Sequence, residues 1–153
     1  MTRFRKDTSG AAFVEMSLVF PILLLLTFGG VQFGLIFYAL SAMENTARVA
    51  ARAISVGEAD DESNGTLTMC GSISGSSANG NKSAEQIACD MLASLPGDYS
   101  VSASDGQAGA FADSGEDISV TVSVNRSAIV LADPFGLLQS SGVFAKTVTL
   151  RKE

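Results

Sequence analysis

The chain contains no histidine and no tryptophan, and only two cysteines and three prolines in 153 residues. Without histidine there can be no Ser–His or Cys–His pair to activate a nucleophile. Its many serines fall in loops and at strand positions that face solvent, and no Walker-type phosphate loop occurs. No enzyme activity is expected, and neither a cofactor nor a metal. Cys70 and Cys89 cannot build a metal site with no histidine and no further thiolate. Positive charge is also scarce: 10 Lys and Arg stand against 16 Asp and Glu, for a net charge of −6. A nucleic-acid partner would call for a basic patch or stripe, so none is expected. The acidity mainly provides solubility.

A second absence is local. From Met16 to Met43 there is no Asp, Glu, Lys or Arg. As a helix this stretch reaches roughly 40 Å, at about 1.5 Å per residue. A bilayer core needs about 30 Å, and the apolar core of a secretory signal is only about 7–15 residues. The run is therefore expected to be a retained, single-pass membrane span with lipid around it. Arg3, Arg5 and Lys6 precede it, with only Asp7 against them. The positive-inside rule then puts the N-terminus in the cytoplasm and the C-terminal part outside the cytoplasmic (inner) membrane. Arg48 and Arg52 on the far side weaken this asymmetry slightly, but they lie on a helical extension of the span. Both cysteines fall in the exported part, where a disulfide can form and persist. The sequence favours a Cys70–Cys89 bridge over two free thiols.

Three chain segments follow from these features. Residues 1–10 form a basic leader. Residues 11–56 form one long helix that includes the span at about 16–43. Residues 57–153 form an exported α+β domain, with an acidic Ser/Gly-rich loop at 57–82. In the helix, Pro21 removes a backbone donor and is expected to kink or loosen the preceding turn. Gly30 and Gly34 are a small-xxx-small pair that would let another helix approach closely, and Gln32 between them could bond across to it. Glycine is also simply common in spans, so the motif alone leaves packing open.

In the exported part, Asp60-Asp61-Glu62-Ser63-Asn64-Gly65 opens like a calcium loop. Its twelfth position would be Gly71 rather than Glu, so it reads as a solvated acidic turn. Ser83-Ala84-Glu85-Gln86 reads as a capping box. Ile87, Met91, Leu92 and Leu95 follow at helical spacing, and Pro96-Gly97 stops the short helix. Tyr99 to Ala103 alternates weakly. Ile118, Val120, Val122 and Val124 alternate cleanly on one face of a half-buried antiparallel strand. Ala128 to Leu131 is expected to extend the sheet after a turn. Pro134 to Gly142 reads as loop, and Val143 to Leu150 as a closing strand.

Glu15 remains to be explained. A carboxylate at the head of an apolar span is costly, usually marks function and needs a partner. Gly10 lies five residues before it, at the end of the basic leader. A cut after Gly10 would place a new amino group on Ala11, one helical turn from Glu15.

Gly10-Ala11-Ala12-Phe13-Val14-Glu15, the apolar run, Phe33-Gly34-Leu35-Ile36-Phe37-Tyr38, and Asn45 to Ala53 (NTARVAARA) together resemble the TadE-like minor pseudopilins. These belong to tight-adherence (Tad/Flp) type IV pilus systems. The resemblance covers Arg3 to about Val56, and more loosely the closing strand with its Arg-Lys-Glu end. It implies a pilin-like fold and cleavage after Gly10 by a membrane aspartyl prepilin peptidase. Glu15 would become the fifth residue of the mature chain, where it sets assembly and register. Met16 stands where the family often has an aromatic residue. The implied partners are the peptidase, other pilins or pseudopilins, and an inner-membrane assembly platform. Three alternatives remain: an uncleaved single-span anchor whose exported domain binds an envelope partner, a major pilin that polymerises in bulk, and an enzyme.

Overall fold

A computed structural model describes residues 8–60, 65–73, 82–104, 115–129 and 142–152. Among these residues the element order is a long helix α1 (Thr8–Ser55), strand β1 (Thr68–Met69) with a single 3-10 turn (Cys70–Ser72), helix α2 (Ala84–Leu92), strands β2 (Tyr99–Ser104) and β3 (Asp117–Asn125), a one-turn helix α3 (Arg126–Ile129), and strand β4 (Val143–Arg151). The protein is α+β, with a long apolar N-terminal helix followed by a small domain built on a four-stranded antiparallel sheet. Two compact units divide the chain, Met1–Leu35 and Ile36–Glu153.

α1 runs unbroken for 48 residues and passes through Pro21 without a change of element. Two hydroxyls in its apolar half satisfy themselves within the helix. Ser17 donates to the Val14 carbonyl at 2.9 Å and Thr27 to the Leu23 carbonyl at 2.8 Å. Such back-bonding satisfies a polar group that lipid could not hydrate. Gly57, at φ +74°, ends the helix. Its N–H donates to the Ile54 carbonyl and that of Glu58 to the Ala53 carbonyl, the paired bonds of a Schellman stop.

Within the second unit, the C-terminal turns of α1 carry a helical stripe of small and medium side chains: Ala39, Met43, Ala47, Ala50, Ala51 and Ile54. All are buried in one cluster with the inner face of the sheet. That face comprises Tyr99, Val101 and Ala103 of β2 and Ile118, Val120, Val122 and Val124 of β3. Phe144, Val148 and Leu150 of β4 pack against it, partly covered. The stripe is mostly alanine, so the helix can seat closely against the β-branched surface of the strands. Lys146 of β4 reaches Glu44 of α1 at 3.7 Å, and Glu44 also pairs with Arg48 at 2.8 Å.

The strands follow chain order, β1-β2-β3-β4, each antiparallel to the next. The long registers are Tyr99↔Val124 through Ser104↔Ser119, and Asp117↔Arg151 through Asn125↔Val143. On the opposite face, Thr121 and Thr147 stand directly across from one another with their hydroxyls 2.8 Å apart, a common cross-strand pair.

Two elements depart from expectation. The acidic loop contains β1, in which Thr68 and Met69 pair with Val101 and Ser100. Two residues carry no alternation to read, and this strand takes its shape from the free edge of β2. Ala128 and Ile129, expected in the sheet, instead close the single turn α3. The Arg126 N–H donates to the Gly142 carbonyl there, and the Arg126 guanidinium lies 4.9 Å from the centre of the Phe144 ring. A short apolar run fits a helical turn as well as a strand. Val130 and Leu131 lie outside the described residues, as do Pro134 to Ser141 of the expected loop and Asp61 to Asn64 of the acidic turn.

Candidate functional site

The N-terminal unit carries the residues at which the sequence leads one to expect processing and assembly. Its helix is apolar around most of its circumference. Phe13, Val14, Met16, Leu18, Ile22, Leu26, Phe28 and Phe33 are all exposed. A soluble protein does not present so much contiguous apolar surface to water. One helix, from Ala12 to Ser55, is long and apolar enough to cross a membrane.

Glu15 projects from this surface, exposed, and has no ion-pair partner among the described residues. It lies four residues after Ala11, a spacing that puts both positions on the same side of a helix. The Gly10–Ala11 peptide falls inside the first turn of α1. A side chain added at Gly10 would meet nothing within 4 Å, and the same holds at Gly30 and Gly34. Among the described residues, nothing in a single copy of the chain therefore packs so closely as to require any of these three glycines. Their backbone surface is open to something outside it. Gln32 is different. It is 8% exposed in a stretch whose neighbours Val31 and Phe33 are more than half exposed, which is where a polar group in an apolar helix belongs if it is to avoid lipid.

In the second unit the sulfurs of Cys70 and Cys89 are bonded, so the 3-10 turn after β1 is tied to α2 across 19 residues of chain. The α2 cap forms only in one direction. Ser83 accepts from the Gln86 N–H at 3.2 Å, as an N-cap should. The Gln86 side chain does not return to the cap, and its buried Oε1 has no hydrogen-bond partner. The capping box that the sequence leads one to expect is thus half formed. Two further residues, Glu44 and Lys146, join α1 to the edge strand without belonging to any motif. Glu44 and Arg48 at i, i+4 are a readable signal. Lys146 is not, because its partner lies about a hundred residues earlier in the chain. Among the described residues there is no group of three or more His, Cys, Asp or Glu side chains able to hold a metal ion.

These features define a class: an α+β protein with one helix suited to cross a membrane and a small disulfide-tied sheet domain. Residues 10–52 match the family model described as TadE-like protein. Over this segment the chain is similar to TadE-like proteins, consistent with the Tad pilus system. The match opens on Gly10 and takes in Glu15, the apolar run and both Arg48 and Arg52. No curated protein and no solved structure matches the chain. The similarity is consistent with interaction within the pilus machinery.

Proposed function

We propose that this chain is a membrane-anchored minor pseudopilin that takes part in assembling a tight-adherence type IV pilus after its leader is removed behind Gly10. The observation that carries the reading is a TadE-like match that begins at Gly10 and includes an acidic residue, Glu15, at the head of a run with no charged side chain from Met16 to Met43.

The basic leader would hold the N-terminus in the cytoplasm. The peptidase would hydrolyse the Gly10–Ala11 peptide, leaving an ammonium on Ala11. That ammonium sits at the positive end of the helix dipole, where a nearby carboxylate is favourable. Glu15 supplies one, from its own chain or from a neighbour. Pairing between neighbours would lower the desolvation cost of both charges and fix the axial register of packed helices. Gly30 and Gly34, unused by the chain's own packing, would let an adjoining helix approach. The sheet domain would lie outside the cytoplasmic membrane, where its disulfide persists. No reaction is assigned to the protein. Its partners are the peptidase, other pilins or pseudopilins, the assembly platform and lipid.

The test is the N-terminal residue of the membrane-extracted protein, by intact mass and peptide sequencing, with and without co-expressed prepilin peptidase. A peptidase-dependent start at Ala11 is expected. An intact leader in both conditions would leave an uncleaved anchor. Glu15→Ala is expected to keep the protein in the membrane and stop its co-assembly. Normal entry of that variant into the assembly would refute the pairing.

A further inference from the structure

β4 is the last strand of the sheet, and among the described residues nothing pairs with its far side. The backbone bonds that flank it fix which of its groups lie open. The Arg126 N–H donates to the Gly142 carbonyl at 2.9 Å, and the Lys152 N–H to the Glu116 carbonyl at 3.0 Å. Both pairs continue the register of β3 with β4, so Phe144, Lys146, Val148 and Leu150 between them turn their backbone groups toward β3. Thr121 and Thr147, with hydroxyls 2.8 Å apart, are one of the closer, non-bonded pairs that alternate with these. Val143, Ala145, Thr147, Thr149 and Arg151 therefore present N–H and C=O away from the sheet, and all are exposed.

Such an edge is a template for another strand unless something blunts it. β4 is nine residues long, with no proline and no bulge in its register. Its inward-pointing charge, Lys146, is answered by Glu44 of α1. The opposite edge of the sheet is closed. Thr68 and Met69 pair with Val101 and Ser100, the Gly65 N–H donates to the Ala103 carbonyl at 2.7 Å, and the Cys70–Cys89 bond ties this segment to α2. A second copy thus has only its own β4 to offer. Antiparallel pairing of two β4 strands places a two-fold axis normal to the sheet. That turns the two α1 stripes, packed on the inner face, in opposite directions. Two chains held in one membrane by that helix cannot pair this way. Parallel pairing would reverse the second sheet and set its hydroxyl-bearing outer face beside Phe144, Val148 and Leu150, leaving their apolar surface uncovered.

We infer that the free edge of β4 receives an extended segment of a different exported polypeptide, added antiparallel as a further strand. β3 shows which side chains β4 accepts. Ile118, Val120 and Val124 stand across from Leu150, Val148 and Phe144 on the inner face. Ser119 and Thr121 stand across from Thr149 and Thr147 on the outer face, and Asp117 across from Arg151. The partner segment is of the same kind: β-branched residues alternating with hydroxyls, and an acid facing Arg151. Its inward side chains cover what remains open of Phe144, Val148 and Leu150. This pairing does not depend on leader processing, so it can stand or fall apart from the pseudopilin reading.

The experiment uses the full chain in neutral detergent micelles, with amide hydrogen exchange read by NMR. The probe is the capped peptide Asp-Ile-Ser-Val-Thr-Val-Ser-Val-Asn, which has the sequence of β3. Without it, Ala145, Thr147 and Thr149 should exchange about tenfold or more faster than Lys146 and Val148. Saturating peptide is expected to slow those three by about tenfold or more. N-methylation at the third, fifth and seventh peptide positions removes donors that face β4, and should weaken binding about tenfold or more. Methylation at the fourth and sixth positions, which face away, should leave binding unchanged. Thr147→Pro removes only an outward-facing donor, which an edge strand tolerates, and should abolish binding with β3 resonances unchanged. If that variant does not fold, the two methylated peptides decide. No slowing at Ala145, Thr147 and Thr149 in folded protein, or equal binding of the two methylated peptides, would overturn the assignment. Protection of these amides that rises with protein concentration, without peptide, would also overturn it and give the edge to a second copy.

Discussion

Removing the disulfide should loosen the sheet domain by a definite amount. Cys70 and Cys89 close a segment 19 residues apart in sequence. In the chain-entropy treatment, a loop of this length lowers the entropy of the unfolded ensemble by enough to be worth about 3 kcal/mol at 25 °C. That is a large share of the roughly 5–15 kcal/mol that a small domain has in total. The double variant Cys70→Ala/Cys89→Ala should therefore remain folded, but only just. Thermal or denaturant melting of the whole chain would be dominated by α1 in its micelle. The better assay is hydrogen exchange at the buried centre of β3, at Val120 and Val122, whose amides open only with the domain. Protection there should fall by about two orders of magnitude, since each 1.4 kcal/mol or so is a factor of ten. Amides of the α1 segment before Leu35 should not change. Protection within about threefold of the parent in β3 would refute the reasoning, because the bridge would then not constrain the unfolded chain.

Two further outcomes test the packing and the burial of the domain. Ala50→Leu inserts a branched side chain where α1 leaves no exposed surface, and should cost about 1–3 kcal/mol by overpacking, read as lost protection in β3. Burial pushes the Tyr99 hydroxyl above its ordinary pKa, so the folded domain keeps this proton longer than the unfolded chain does. The resulting stability is present below about pH 10 and is lost as pH rises through the folded value. Ultraviolet titration in a Tyr38→Phe background should place its midpoint above that of the urea-unfolded chain, and equal midpoints would refute it.

Elements whose pattern lies in their own residues are legible in the amino-acid sequence. β3 alternates cleanly from Ile118 to Val124 and sits with those side chains inward. α2 announces its start with Ser83, but it ends at Leu92, before the expected Leu95 and the Pro96-Gly97 stop. The apolar run and Gly57 place the end of α1 within a residue or so of Ser55. Elements defined by a partner are not legible in this way. β1 exists because β2 has an edge to pair with. The helical turn at Arg126 to Ile129 is fastened by Gly142, a residue the local sequence does not contain. The candidate site divides in the same manner. Gly10, Glu15, Gly30 and Gly34 stand out by type and spacing alone. The Gln86 oxygen does not, since a capping box looks complete in sequence even when only one of its two bonds forms.

The stripe from Ala39 to Ile54 has a mechanical consequence. These turns are core to the sheet domain, and they also continue the helix that is long and apolar enough to cross a membrane. Drawing them into a bilayer would strip the domain of one wall of its interior. The helix before it, residues 12–35, measures about 36 Å at 1.5 Å per residue, close to the roughly 30 Å of a hydrocarbon core. Any force that draws Ala39 to Ile54 into lipid would thus have to work against the stability of the sheet.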